Sequence, residues 1–278
     1  MKIQGLDKIY IIHYAKLNDR KAYLLKKIKE LGIENIVEWN IAPENEVLSK
    51  KDYSFYDSSE EARLERLKYL GNIFRGPQKL MVKSEIAVTL QHLGVITEIS
   101  KKKDSNIYMI MEDDALIEEG FIPHLEKLIN QLKILDWDVC YTDKGGLIAS
   151  IKTNIGIKGQ SMLYRPENRF SNTTGSYLIT PKSAKKIVRF MKKFNLAIDA
   201  ELAYIQKKNN FNVYWSVPFL TKQGTIEGVY LSNIRAGSTT LKINKLLKKI
   251  EKICPQFSNF LSRLVEKIRN FKNRIKYI

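Results

Sequence analysis

Five consecutive apolar or aromatic residues, Ile107, Tyr108, Met109, Ile110 and Met111, run straight into three carboxylates, Glu112, Asp113 and Asp114, before the chain turns apolar again. A run with no polar alternation can be a strand only if both its faces are covered, the position of an inner strand in an α/β sheet. Charged residues at the carboxyl end of such a strand stand where open α/β sheets bind ligands. An acidic turn capping the next helix is the plainer reading of the same three residues.

The flanking sequence fits that sheet. Residues 9–13, "IYIIH", predict a short strand, and Leu24, Leu25, Ile28 and Leu31 follow at helical spacing until Gly32 stops them. "NIVEW" (35–39) suits a second strand, so the chain opens on a β-α-β unit. Residues 43–82 predict an excursion over the sheet edge, with Ser58 or Ser59 capping a helix over 60–70. Ile86, Leu90, Leu93 and Ile96 give a helical stripe over 84–100, ahead of the 107–111 strand. A helix near 122–135, strands at 138–141, 176–180 and 212–218, and helices over 182–208 complete the pattern.

Charge separates the end of the chain from the rest. The formal net charge is +17, and residues 241–278 hold eleven Lys or Arg against Glu251 and Glu266, a net of +9 that leaves +8 for the preceding 240 residues. We therefore expect a catalytic domain over 1–240 and a basic helical tail over 241–278. No apolar run is long enough to span a bilayer, and Asp7, Lys8 and His13 interrupt the first apolar stretch, so a cytoplasmic location is expected. Two cysteines, Cys140 and Cys254, form neither a disulfide framework nor a metal-ligand spacing.

Glu112 and Asp114, two residues apart, project to one side if the chain stays extended. Two hard oxygen donors there suit Mg²⁺ or Mn²⁺, which usually take further oxygens from a diphosphate. Such an ion would stabilise the charge on a departing nucleotide diphosphate. Glu85, Thr89 and His92 share one helix face at spacings of four and three. A neutral His92 paired with Glu85 could orient a substrate hydroxyl or simply lock two helices.

Several blocks, in order, carry a family resemblance. "IYMIMEDDALI" resembles the "LEDD" segment of glycosyltransferase family 25, the lipooligosaccharide galactosyltransferases. "IIHYAKLNDRKAYLLKKIKELGI" is similar to that family's opening strand, arginine-bearing turn and helix, with Arg20 in the place of its arginine. "KSEIAVTLQHLGVI" resembles the family's "GEIGCALSH" helix and keeps Glu85 and His92, with Ser84 where the family has glycine. "DWDVCYT", "TTGSYLITPKSAKKI" and "AIDAELAYIQKKNNFNVYWSVPFLTKQ" resemble its later strands and helices, so the likeness spans roughly residues 9–223.

The resemblance implies a GT-A-like, Rossmann-type, mainly parallel α/β sheet flanked by helices, binding a UDP-sugar, most simply UDP-galactose. It implies a metal at Glu112 and Asp114, a ribose or sugar contact at Asp113, and donor contacts from Arg20, Glu85 and His92. Arg20 could meet a phosphate or the uracil edge; a surface arginine in an early helix turn is the alternative. Inverting transfer needs a carboxylate that takes the proton of the acceptor hydroxyl. Asp199 and Glu201 in "AIDAELAY" are the candidates, although Asp199 also suits a helix N-cap.

In the tail, Phe257, Phe260, Leu261, Leu264, Val265, Ile268, Phe271 and Ile275 fall on one helical face, with Arg263, Lys267, Arg269, Lys272 and Arg274 largely elsewhere. A basic amphipathic helix of this kind suits the anionic inner leaflet, where a lipid-linked oligosaccharide acceptor would stand. A helical pair docking on the catalytic domain or on a dimer partner suits the pattern too. The charge alone also suggests a membrane-surface or nucleic-acid binding protein without catalysis. The chain carries no glycine-rich phosphate loop, metal-finger cysteines or RNA-binding aromatic signature, so no nucleic-acid partner is expected.

Overall fold

The computed structural model describes residues 3–71, 80–145, 155–156, 162–166, 170–171 and 173–231. The chain divides into two units, Met1–Tyr230 and Leu231–Ile278. The expected amphipathic tail over 241–278 lies outside the described residues.

Strand β1 (Leu6–Ile12) leads into helix α1 (Asn18–Leu31) and strand β2 (Val37–Asn40). Gly32 ends α1 at φ 64°, a left-handed conformation open to glycine, and its amide caps the carbonyls of Ile28 and Lys29. The excursion holds α2 (Lys50–Tyr53) and α3 (Glu60–Leu70). Ser59 caps α3, its hydroxyl accepting from the Ala62 amide. Then come α4 (Lys83–Ser100), β3 (Ile107–Glu112), β4 (Ala115–Ile117), α5 (Phe121–Leu132) and β5 (Val139–Tyr141). Short strands β6 (Ile155–Gly156) and β7 (Leu163–Arg165) precede β8 (Ser176–Ile179), α6 (Pro181–Phe190), α7 (Ile198–Lys208), β9 (Val213–Ser216) and β10 (Thr221–Gln223).

Eight strands form one sheet in the order β2-β1-β3-β8-β5-β9-β7-β6, while β10 pairs with β4 in a small second sheet. The α/β, helix-flanked arrangement is the one expected. Strands β2, β1, β3, β5 and β9 share one direction, but β8 enters antiparallel between β3 and β5, and β7 is antiparallel to β9. The pairing is therefore mixed rather than mainly parallel. Antiparallel neighbours need no helical crossover to reverse the chain, and among the described residues β6, β7 and β8 follow one another without a helix between them.

Alternate residues of the inner strands feed two cores. Ile9, Ile11, Met109 and Met111 pack with Leu24 and Ile28 of α1 and Leu125, Leu128 and Ile129 of α5. Tyr10, Ile12, Tyr108 and Ile110 pack on the opposite face with Ile86, Leu90 and Ile96 of α4, Ile187 of α6 and Leu202 of α7. This two-sided burial is why the 107–111 run carries no polar residue; each such side chain contributes roughly 1.5–3 kcal/mol. Among the described residues, no helix is long and apolar enough to cross a membrane.

Candidate active site

Because β1, β3 and β5 run together and β8 runs against them, the carboxyl ends of the first three and the amino end of β8 meet at one edge of the sheet. The acidic triplet stands there, Glu112 as the last residue of β3 and Asp113 and Asp114 as the turn to β4, and α5 starts only after Gly120, so the triplet caps no helix. Each of its three side chains has a different set of partners.

Asp113 is buried and held from several sides. Its Oδ1 accepts from the Arg20 guanidinium at 2.7 Å, and its Oδ2 contacts His13 Nδ1 at 2.9 Å and the Tyr14 amide at 3.1 Å. The guanidinium of Arg20 also lies 5.2 Å from the ring centre of Tyr230. Arg20 and Asp113 hold each other and so fix the turn against the end of β1. The cause is burial: a carboxylate this enclosed needs a cation and donors of its own.

Asp114 is also buried, and its Oδ2 accepts from the hydroxyl and amide of Thr225 at 2.5 and 3.3 Å. Its Oδ1 is buried without a hydrogen-bond partner. Burial, and then the charge of Glu112, push this carboxyl up to about 6. Glu112 is one-fifth exposed and accepts from the Thr174 hydroxyl at 2.7 Å, with His92 Nε2 3.6 Å away. The other nitrogen of His92 meets the Tyr177 hydroxyl at 2.9 Å, and the two rings stack. The expected pairing of His92 with Glu85 gives way to this one. Glu85 lies two turns earlier on α4 and turns back to accept from the Val82 amide at 3.0 Å, satisfying a donor at the helix start.

Asp199 and Glu201 open α7, whose N-cap is Ala197, so Asp199 is not the cap. Among the described residues, Asp199 Oδ1 accepts from the adjacent Ala200 amide, at 2.8 Å. Burial, with smaller contributions from the charges of Glu112 and Glu85, raises its carboxyl to about 6. Glu201 is buried: one oxygen pairs with Arg66 of α3, and the other accepts from the Asn195 and Leu196 amides. Both of its oxygens are thus engaged within the fold.

One carboxylate escaped the sequence reading. Asp143, just past β5, is 3% exposed and accepts on Oδ2 from the Thr173 hydroxyl at 2.7 Å and the Gly145 amide at 3.3 Å. Burial raises it to about 8, and Glu112 adds to the shift. The sequence signal was an acidic residue immediately after a buried strand, the same signal as at Glu112. Glu112 is thus the shared neighbour of three separate carboxyls, Asp114, Asp143 and Asp199, whose ionisation it opposes. Negative charge concentrated at one sheet edge of a strongly basic protein is suited to a cation.

The model of glycosyltransferase family 25, described as an LPS biosynthesis protein family, matches residues 6–202. The chain belongs to glycosyltransferase family 25. This family 25 chain is also similar to the galactosyltransferase LgtC, solved in complex with donor and acceptor sugar analogues, at 11% identity and a TM-score of 0.33. That likeness covers 75% of this chain and 72% of LgtC. No curated protein sequence matches. The matched segment of the family 25 chain contains Arg20, Glu85, His92, the acidic triplet, Asp143, Asp199 and Glu201.

Proposed function

We propose that this protein transfers a hexose, galactose from UDP-galactose being the simplest donor, with inversion onto a lipooligosaccharide or related surface glycan. Family membership supports glycosyl transfer in LPS biosynthesis. The observation that carries the site assignment is the set of carboxyls around Glu112, at the sheet edge where α/β folds bind nucleotides.

Glu112 and Asp114 fit Mg²⁺ or Mn²⁺, since Asp114 keeps a buried oxygen without a partner and Glu112 is partly exposed beside it. Among the described residues, no group of three His, Cys, Asp or Glu side chains could hold an ion. The two carboxylates would therefore share it with diphosphate oxygens, the usual manner of Mg²⁺ in nucleotide sites. When bound, the ion supplies neutralisation of the leaving diphosphate.

The chain's own residues do the rest. The bonds of Asp113 to Arg20, His13 and Tyr14 hold the turn, and His92 of α4, bonded to Tyr177 of β8, backs Glu112. Asp199 takes the proton of the acceptor hydroxyl as that oxygen attacks the anomeric carbon. A carboxyl near 6 is mostly ionised at neutral pH yet more basic than an ordinary aspartate, which suits this work. In this reading the enzyme acts at the inner face of the plasma membrane, supported by the net +9 of residues 241–278; cosedimentation with anionic vesicles tests that part.

Calorimetry with UDP, with and without Mn²⁺, tests the site. The wild type should bind UDP in an Mn²⁺-dependent manner, and Asp114→Asn should lose that dependence. Equal UDP affinity in both proteins would remove the ion from Glu112 and Asp114.

A further inference from the structure

Asp143 belongs to the set of carboxyls around Glu112 but has no task of its own in the reading above. Its Oδ2 is held by Thr173 and Gly145, while Oδ1 is buried with no hydrogen-bond partner. A buried oxygen left unsatisfied is costly, and natural proteins rarely leave one without a purpose. The nearby hydroxyls are engaged elsewhere: Thr173 bonds Oδ2, and Thr142 and Thr221 both bond Ser176, at 2.6 and 2.7 Å.

The backbone on two sides of the carboxyl is bare. A Cβ at Gly145 would lie 2.8 Å from Asp143 Oδ2, and one at Gly175 would lie 2.7 Å from the same oxygen and 2.7 Å from Cγ of Gln223. Any side chain at either position would collide with the carboxyl, so the two glycines keep it in place. Thr173 and Thr174 then tie two carboxylates to consecutive residues, Thr173 to Asp143 and Thr174 to Glu112. Asp143 is thereby fixed beside the Glu112 site by a separate set of bonds.

We propose that Asp143 is a specificity-determining residue that presents its Oδ1 to a hydroxyl of the donor hexose. The inference rests on the nucleotide-sugar reading of the Glu112 site. Since Oδ2 already accepts two hydrogen bonds, the proton of the neutral acid belongs on Oδ1, which then donates to the sugar oxygen; the carboxyl raised to about 8 is consistent with that form. A pyranose hydroxyl both donates and accepts, so it satisfies the buried oxygen, as a nucleobase face or an apolar group would not.

The test is calorimetry on the full chain with Mn²⁺, comparing UDP with UDP-galactose and UDP-glucose. Asp143→Ala should weaken a UDP-hexose roughly tenfold while UDP affinity stays within about twofold, the loss of one buried hydrogen bond. Asp143→Asn, which can accept from Thr173 and donate from its amide as the neutral acid does, should restore UDP-hexose affinity to within about threefold of wild type. If Asp143→Ala does not fold, Thr173→Val takes its place, with a loss of about threefold confined to the UDP-hexoses. Unchanged UDP-hexose affinity in the variant used, an equal loss for UDP and UDP-hexose, or failure of Asp143→Asn to restore binding would each overturn the assignment. Wild-type protein that binds no UDP would instead overturn the underlying reading of the site.

Discussion

Asp199 and Glu201 stand two residues apart at the start of α7, yet their surroundings give them different work. Glu201 is consumed by Arg66 and two backbone amides, whereas Asp199 has one local bond and a raised carboxyl. Asp199→Asn should lower kcat by about 10²–10⁴-fold in a transfer assay. The wild-type kcat/KM should fall as pH drops through about 6, because a general base is lost on protonation. Asp143 gives a stability prediction of defined sign. A folded-state carboxyl near 8, against an ordinary 3.8, contributes stability that is present below about pH 4 and lost as pH rises through about 8. Asp143→Asn removes that loss, so without ligand its melting temperature should exceed wild type by a few degrees at pH 8.5 and by less at pH 5. The acidic triplet was legible in the sequence because it breaks a buried run. The division of labour inside it was not, since the commitment of Asp113 to Arg20 and His13 depends on residues about a hundred positions away. A lone aspartate such as Asp143 follows a buried strand but has no spacing to set it apart from other acidic residues; its burial and missing partner do that.

At the scale of elements, α3 holds α7 in place through Arg66 and Glu201, and Arg66 also lies over the Tyr204 ring at 5.1 Å. Arg66→Ala strands a buried carboxylate with backbone donors alone, and should cost about 3 kcal/mol in urea unfolding. Arg66→Lys should recover only part of that, since lysine lacks the planar fork. The helices were the most readable part of the chain: apolar stripes and caps located α1, α3 and α4 closely. Strands β4 and β10 were not readable. Each has three residues, and each exists because its partner lies about a hundred residues away, as Ala115 opposite Gln223 shows. The antiparallel entry of β8 was hidden for a similar reason, because a short apolar strand reads the same in either direction.

Across the whole molecule the net charge is +17, while the candidate site is built from acidic residues. On the proposed function, an anionic donor would be drawn by the first and held through a cation by the second. The two contributions separate experimentally: a chain lacking residues 241–278 should keep Mn²⁺-dependent UDP affinity within about twofold by calorimetry. A greater loss would mean that the tail contributes to the donor site.

The reversed strand also determines which changes the site tolerates. The stretch before β8 reaches the site as an incoming strand, fastened on one side where the Glu112 amide donates to the Gly175 carbonyl and on the other where the Thr142 amide donates to Ser176. Thr173 and Thr174 serve Asp143 and Glu112 by their count from those anchors. That segment behaves like a ruled scale: residues can be exchanged on it, but inserting or deleting one shifts every mark. Diversification by changes of loop length, the ordinary route to new specificity in α/β enzymes, is therefore closed at this edge and open only in the segments further upstream.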